Sequence, residues 1–231
     1  LLSRRQRQMC IRDRSQTEDK DWINNWKEFF HQFYVDDILI VPSWEEIKEE
    51  DKDKMILHID PGTAFGTGMH ETTQLVIRQL KKYVKPGIEL LDVGTGSGIL
   101  GITALKLGAG HVVGTDLDPC AVPAVQDNKE ANQIVDDTFD MMIGNIIDDK
   151  EVQDQVGYEK YDIVAANILA DVLVPLTPVI VHQMKKGAYY ITSGILDVKE
   201  EVVKEAVQKA GLTLVEVTRQ GEWVCVTARK D

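Results

Sequence analysis

A glycine-rich turn followed by an aspartate is the part of the sequence whose residue types most plainly indicate chemistry. The turn reads D-V-G-T-G-S-G from Asp92 onward, with its glycines at Gly94, Gly96 and Gly98, and Asp116 follows twenty residues after Gly96. Glycines let the backbone approach a ligand that a side chain would block, and the helix that follows offers unpaired N–H groups and the positive end of its dipole. Asp116 lies where an acid that binds ribose hydroxyls belongs.

Two cofactors fit this pattern. Residues 96–101 satisfy G-x-G-x-x-G, so a nicotinamide-dependent oxidoreductase is one interpretation. The carboxylate of Asp92 would repel a pyrophosphate, but it would attract a ligand that carries an ammonium and a sulfonium. The sign of this charge favours S-adenosylmethionine, and D-V-G-T-G-S-G is a pattern associated with class I methyltransferases. A module that binds the cofactor without catalysis is a third alternative.

These residues must be positioned by the elements around them, and strands alternate with helices from Ile88 onward. The predicted strands are E-L-L-D-V, H-V-V-G-T-D, F-D-M-M-I-G, Y-D-I-V-A-A-N and 188–193, and the predicted helices end at about 107, 132, 183 and 209. Alternation of this kind predicts a parallel sheet covered on both faces. Two last strands, 212–218 and 223–228, are joined by a short turn and form an antiparallel hairpin. We therefore expect a doubly wound, Rossmann-like α/β fold that binds ligands beyond the carboxyl ends of its strands.

A loop rich in glycine and threonine precedes the first of these strands and leads into a helix that begins near Thr72 or Thr73. Phe65 and His70 lie on this loop and are candidates to cover the transferred group or guide the substrate. A loop histidine that bonds to the backbone is an equally good interpretation of His70. Position 74 is Gln, so the zinc motif H-E-x-x-H is not completed and we expect no metal site.

Several of these segments, in this order, resemble the PrmA family, which methylates the large-subunit stalk-base ribosomal protein. The matching runs are DPGTAFGTGMHETT, LLDVGTGSGILGI, TDLDPCAV, VAANILA, ITSGIL and a final EWV. The resemblance implies S-adenosylmethionine as the cofactor and methylation of lysine ε-amines and an N-terminal α-amine. It also implies cofactor contacts at Thr73, Gly94, Asp116 and Asn167. The chain departs from the family pattern at Glu71, where the family usually has proline.

Asn167, after the fourth predicted strand, suits the chemistry that the resemblance implies. Only an unprotonated amine has the lone pair that attacks a methyl group, and a dry pocket favours this neutral form. The side-chain oxygen of Asn167 is a neutral acceptor that can aim an amine, whereas an aspartate would favour the charged ammonium. An N-cap for the following helix is the alternative role, and it is compatible with catalysis.

The predicted organisation has three parts. Residues 1–15 carry five arginines against one aspartate, and we interpret them as a non-native basic leader. Residues 16–60 contain an aromatic-faced helix over 21–33 and short strands at 38–41 and 55–59, and we expect them to be the remnant of a linker to a recognition domain. Residues 61–231 are the predicted catalytic domain. On this organisation we expect the chain to bind its cofactor but to methylate the intact ribosomal protein poorly.

Composition excludes several classes of protein. The formal net charge of −12 argues against a nucleic-acid binder, because phosphate contacts need a basic surface. The longest apolar stretch, 172–181, contains two prolines and is shorter than the roughly 20 residues that span a membrane. Three cysteines far apart in sequence form no disulfide framework, which fits a reducing compartment, so we expect a cytoplasmic protein.

Overall fold

The computed structural model of the chain describes residues 31–60 and 68–231. The basic leader, most of the expected aromatic helix and Phe65 lie outside the described residues. Phe33, expected at the end of that helix, instead begins strand β1 (Phe33–Val35). Asp36 turns the chain with a positive φ of 55°, and β1 then pairs with the next strand. At Phe33 the chain therefore forms a strand and not the expected helix.

A small sheet is formed by β1, β2 (Ile38–Val41) and β3 (Met55–His58) in that order. Strand β2 runs antiparallel to β1 and parallel to β3. All four residues of β2 are buried, because it is the central strand of the three. The two short strands expected here are confirmed, with β3 ending one residue earlier than predicted.

The main sheet has seven strands in the order β6-β5-β4-β7-β8-β10-β9. These are β4 (Glu89–Val93), β5 (His111–Asp116), β6 (Phe139–Ile143), β7 (Tyr161–Asn167), β8 (Met184–Leu196), β9 (Leu212–Gln220) and β10 (Trp223–Lys230). Strands β4 to β8 pair in parallel, whereas β10 is antiparallel to both of its neighbours. The predicted doubly wound sheet with a closing antiparallel hairpin is confirmed.

Six α-helices accompany this sheet in the part of the chain that the structure describes. They are α1 (Glu71–Tyr83), α2 (Ile99–Lys106), α3 (Ala121–Ala131), α4 (Lys150–Val156), α5 (Ala170–Ile180) and α6 (Glu200–Lys209). Helix α4 was not predicted, because its only buried residues are Val152 and Val156 and the rest of it is polar. The side chain of Asp149 starts this helix by accepting hydrogen bonds from the N–H groups of residues 151 and 152.

The core has two parts, one for each face of the main sheet. Consecutive residues of β7 alternate between them, with Ile163 and Ala165 in one cluster and Val164 and Ala166 in the other. This alternation follows from the period of two residues along a strand. A strand whose two faces are both buried is what a doubly wound sheet requires. Among the described helices, none has the length and hydropathy to cross a bilayer.

Candidate active site

The candidate site lies where the strand order reverses, between β4 and β7. Val93 at the end of β4 pairs with Thr115 on β5 and with Ala166 on β7. The next residues along the three strands are therefore Gly94, Asp116 and Asn167, and they lie at one edge of the sheet. A crevice beyond the carboxyl ends of parallel strands, at such a reversal, is the usual ligand site of a doubly wound fold.

The glycine turn occupies the centre of this edge. Gly94, Gly96 and Gly98 have φ values of 76°, 56° and 82°, which L residues with a side chain rarely adopt. The N–H groups of Gly94 and Thr95 donate to the carbonyl oxygen of Thr115 over 2.8 and 3.2 Å, which holds the turn against β5. Gly98 then caps the N-terminus of α2. The turn thus presents bare backbone at the strand ends, as the sequence predicts.

Asp116, at the end of the neighbouring strand β5, binds the glycine turn through its carboxylate. Its Oδ2 accepts a hydrogen bond from the N–H of Gly96 over 2.8 Å, and its Oδ1 accepts one from the N–H of Asp118 over 2.9 Å. The side chain is half-buried, so it stays accessible at the edge of the sheet. A carboxylate accepts about four hydrogen bonds, so two backbone donors leave it able to accept hydroxyl groups as well. This arrangement fits a ribose diol.

The sequence predicts that the carboxylate of Asp92 attracts a cationic ligand, but in the structure this side chain is not exposed beside the glycine turn. The side chain is fully buried, its Oδ2 accepts from the N–H of Gly101 in α2 over 3.2 Å, and no described group donates to its Oδ1. Burial, with a smaller contribution from the negative charge of Asp116, raises the pKa of Asp92 to about 8, although the hydrogen bond from Gly101 opposes the rise. The carboxyl group therefore supports the turn from within the protein. The accessible negative charge beside the turn belongs to Asp116.

Asn167 and Thr73 are brought into direct contact at the end of β7. Nδ2 of Asn167 donates a hydrogen bond to Oγ1 of Thr73 over 3.1 Å. Thr73 lies in the first turn of α1 and is buried. No described residue donates to Oδ1 of Asn167. The expected capping role of Asn167 is not seen, because the N-cap of α5 is Leu169, which makes no side-chain cap.

His70 is the N-cap of α1. Its Nδ1 accepts from the N–H of Thr72 over 3.3 Å and lies 2.9 Å from Oγ1 of the same residue. The ring meets the indole of Trp223 edge-on, with centroids 4.8 Å apart and planes at 69°. The structure therefore shows the backbone-bonded alternative for His70. Trp223 therefore packs partly on this cap.

A buried amide that was not predicted from the sequence ties the end of the small sheet to the glycine turn. Nδ2 of Asn128, in α3, donates to the carbonyl oxygen of Ser97 over 2.9 Å, and its Oδ1 accepts from the N–H of Asp60 over 2.9 Å. Asn128 is fully buried. An asparagine inside an otherwise regular helix was the available signal, since a buried amide must find partners.

Among the described residues, metal ligands are not gathered at this edge of the sheet. Within residues 31–60 and 68–231 there is no group of three or more His, Cys, Asp or Glu side chains that could hold a metal ion.

A sheet of this order, with a glycine turn and an acid at the reversal point, defines the class of Rossmann-like methyltransferases. A solved structure described as a putative SAM-dependent methyltransferase from Streptococcus mutans shares the fold, with a TM-score of 0.61 and 13% identity over 75% of this chain and 52% of that one. The family model described as "Ribosomal protein L11 methyltransferase (PrmA)" matches residues 3–231. The chain belongs to this family.

Relatives at higher identity agree. Proteins called ribosomal protein L11 methyltransferase from Agathobacter rectalis and Lachnospira eligens are 57% and 59% identical, each over 94% of this chain and 68% of the relative. A solved ribosomal protein L11 methylase from Lactobacillus delbrueckii subsp. bulgaricus has a TM-score of 0.78 and 31% identity, over 87% of this chain and all of that one. The resemblance seen in the sequence is confirmed, and the oxidoreductase alternative has no support.

Proposed function

We propose that this chain transfers methyl groups from S-adenosylmethionine to amine nitrogens of ribosomal protein L11, namely lysine ε-amines and the N-terminal α-amine. Family membership supports the reaction and the protein substrate. The hydrogen bond between Asn167 and Thr73 is the observation that supports nitrogen as the methylated atom. This bond fixes the neutral side-chain oxygen of Asn167 at the strand edge, where it can accept a hydrogen bond from an amine.

The residues at the edge of the sheet fit the cofactor. Gly94, Gly96 and Gly98 would leave room for it against the backbone, and Asp116 would accept its ribose hydroxyls. Asp116 also supplies the negative charge that suits a cationic ligand. Asp92 would act indirectly by holding the start of α2 under the turn. When bound, S-adenosylmethionine supplies an electrophilic methyl group on a sulfonium.

The acceptor nitrogen must lose its proton before it can attack. A lysine ε-amine, with a pKa of about 10.4, is almost fully charged at neutral pH, whereas an α-amine near 7.7 to 8.0 is partly neutral. Removing either group from water lowers its pKa, because burial disfavours the cation. No strong general base is then required. The protein needs a hydrogen-bond acceptor that orients the remaining N–H groups and holds the lone pair toward the methyl group.

Asn167 meets this need through the way its amide is held. An amide carries its nitrogen and oxygen on the same carbon, so the hydrogen bond from Nδ2 to Thr73 also fixes the direction of Oδ1. We propose that Oδ1 accepts a hydrogen bond from the substrate amine. Thr73 is then an anchor for Asn167 in addition to any contact with the cofactor. His70 would serve the same assembly by capping the helix that carries Thr73.

The partner that we propose is a basic protein. The chain has a formal net charge of −12, and electrostatic complementarity with a lysine-rich surface would speed their encounter. We propose no direct contact with nucleic acid for the same reason. Residues 61–231 would form the catalytic domain, and residues 16–60 would join it to a recognition region. A cytoplasmic location follows from the proposed ribosomal substrate.

Two substitutions of Asn167 test the proposal. We expect Asn167→Ala to lower turnover far more than it weakens cofactor binding, because the lost interaction is made with the amine. Asn167→Asp keeps the shape but favours the ammonium, so its rate should recover as the pH is raised. Single-turnover rates and calorimetry with S-adenosylhomocysteine measure the two quantities. Equal losses of rate and affinity in Asn167→Ala would make Asn167 a cofactor-binding residue only.

A further inference from the structure

Ile168, the residue after Asn167, lies between two glycines that come from different strands. Gly94 belongs to the glycine turn after β4, and Gly194 lies inside β8. A side chain added at either glycine would collide with Ile168. Neither contact was foreseen from the sequence, although a glycine inside a strand often marks a bulge or a close backbone approach.

The first contact is made by the side chain of Ile168. A Cβ atom added to Gly94 would lie 2.5 Å from Cγ2 of Ile168, closer than non-bonded carbons can approach. The branched methyl group therefore packs directly against the backbone of the glycine turn. The rest of the side chain packs on the core cluster beneath β7. The methyl group thus sets how near the end of β7 lies to the turn.

The second contact is made by the backbone of Ile168. A Cβ atom on Gly194 would lie 2.5 Å from the carbonyl oxygen of Ile168 and 2.8 Å from its carbonyl carbon, and Gly194 has a φ of 83°. The N–H of Ile168 also donates to the carbonyl oxygen of Ser193 over 3.1 Å. Strand β8 therefore holds the peptide unit on each side of Ile168.

A bulge in β8 creates the second contact. Strand β10 pairs Val224 with Ile195 and Val226 with Thr192, so residues 193 and 194 of β8 face Cys225 alone. Two residues opposite one is the pattern of a β-bulge, and bulges are common beside active sites. This bulge brings bare backbone, without a side chain, against the residue that follows Asn167.

We propose that Ile168 is a positioning residue that fixes the distance between Asn167 and the cofactor turn. The inference rests on the proposed function of Asn167. The backbone of Ile168 is held by the bulge at Gly194, and the Cγ2 methyl group of Ile168 contacts Gly94. The preceding residue, Asn167, is therefore held relative to both glycines. A displacement of about 1 Å at a reacting group can cost up to about a hundredfold in rate. By setting the distance between Asn167 and the glycine turn, Ile168 therefore controls turnover.

The competing explanation is that Ile168 only fills the core, and two conservative substitutions separate the two. Ile168→Val keeps the branched methyl group and removes the end of the side chain. Ile168→Leu keeps the number of carbon atoms but moves the branch from Cβ to Cγ, so the Cγ2 methyl group that contacts Gly94 is lost. A core residue tolerates the isomeric Leu about as well as the smaller Val, because each change costs up to about 1.5 kcal/mol. A positioning residue tolerates Val and not Leu.

We expect Ile168→Leu to lower kcat with L11 by about tenfold and Ile168→Val by less than about threefold. The affinity for S-adenosylhomocysteine should change less than about threefold in both, because the turn keeps its hydrogen bonds to Thr115 and Asp116. Leu173→Met, a conservative change in the same core cluster, is the matched control for stability. Equal rates in the Leu and Val variants would overturn the proposal.

A second measurement does not depend on the reaction. The side-chain NH₂ group of Asn167 donates to Thr73, so its NMR signal reports where the amide lies. This signal should move in Ile168→Leu and stay in place in Ile168→Val. An unmoved signal in Ile168→Leu contradicts the positioning role, even if L11 were not the substrate. Absence of methyl transfer by the unaltered chain, with the signal moving as expected, would count against the proposed function alone.

Discussion

Nδ2 of Asn167 donates a hydrogen bond to Oγ1 of Thr73 over 3.1 Å, although 94 residues separate the two in the chain. One residue ends β7, and the other lies in the first turn of α1. The bond joins α1, the helix that precedes the main sheet, to the edge at which the strand order reverses. It also decides which atom of the amide is left to face a substrate.

Removing the anchor should slow the reaction. Thr73→Val keeps the shape of the side chain and deletes its hydroxyl, so Nδ2 of Asn167 loses its partner. We expect turnover to fall about tenfold, since a hydrogen bond of this kind contributes about 1 kcal/mol and its loss also frees the orientation of the amide. Thr73→Ser keeps the hydroxyl and is the matched control. If calorimetry shows an equal loss of cofactor affinity, Thr73 acts on the cofactor and not through Asn167.

Asp116 should be the main source of cofactor affinity. Asp116→Ala removes the carboxylate proposed to bind ribose, together with the acceptor of the N–H of Gly96. We expect binding of S-adenosylhomocysteine to weaken by about 2 kcal/mol or more, because charged hydrogen bonds are lost. Asp118→Ala, at the neighbouring exposed aspartate, controls for the loss of one negative charge. Unchanged affinity in Asp116→Ala would refute the ribose contact.

Asp92 should make stability depend on pH. Burial raises the pKa of Asp92 to about 8, whereas the unfolded chain titrates near its ordinary value of about 3.9. A group with a higher pKa in the folded state contributes stability that is complete below the unfolded pKa and is lost as the pH rises through about 8. Asp92→Asn cannot ionise, so it should gain stability relative to the unaltered protein as the pH rises.

Denaturant unfolding without cofactor, between about pH 5 and pH 9, measures this difference. The free energy of unfolding should fall less steeply with pH in Asp92→Asn than in the unaltered chain. Asp53→Asn, at an exposed position, is the control for removing one carboxyl group. Parallel curves for Asp92→Asn and the unaltered protein would show that the buried carboxyl does not titrate in this range.

His70 offers a direct choice between a structural and a chemical role. His70→Asn replaces one capping side chain by another, because asparagine is a preferred N-cap. We expect this variant to keep its stability and most of its turnover, while His70→Ala loses about 1 kcal/mol of unfolding free energy. Thermal denaturation and turnover are measured together. A large loss of turnover in His70→Asn at full stability would assign His70 to the chemistry.

The sequence was enough to predict the main sheet and the residues at its carboxyl edge. Period-two and helical spacing are local patterns, so β4, β5 and β7 and the glycine turn could be placed without coordinates. The face of a strand on which a residue lies also follows from local sequence. How deeply its side chain is buried depends on the elements that pack over it. Asp92 shares a face with Leu90 under α2 and pairs with Gly114 and Ala165, so its side chain is buried within the protein.

Contacts between distant segments could not be predicted in the same way. The bond from Asn167 to Thr73 and the collision of Gly194 with Ile168 depend on the register of strands and on the approach of α1 to β7. Helix α4 was missed for a local reason, because its seven residues are too few to show a helical period. The candidate site residues could be placed at the strand edge from the sequence, whereas the distances between them could be read only from the structure.

Locating the transferred methyl group is the most direct test of whether the chain methylates amine nitrogens of L11. Ribosomal protein L11, and peptides from its lysine-containing and N-terminal segments, are incubated with the chain and with S-adenosylmethionine that carries a deuterated methyl group. Tandem mass spectrometry then assigns the label to an atom. We predict label on lysine ε-nitrogens or the α-nitrogen, and loss of this label in Asn167→Ala while the cofactor still binds. Label on oxygen or carbon, or no label from a chain that binds the cofactor, would contradict this prediction.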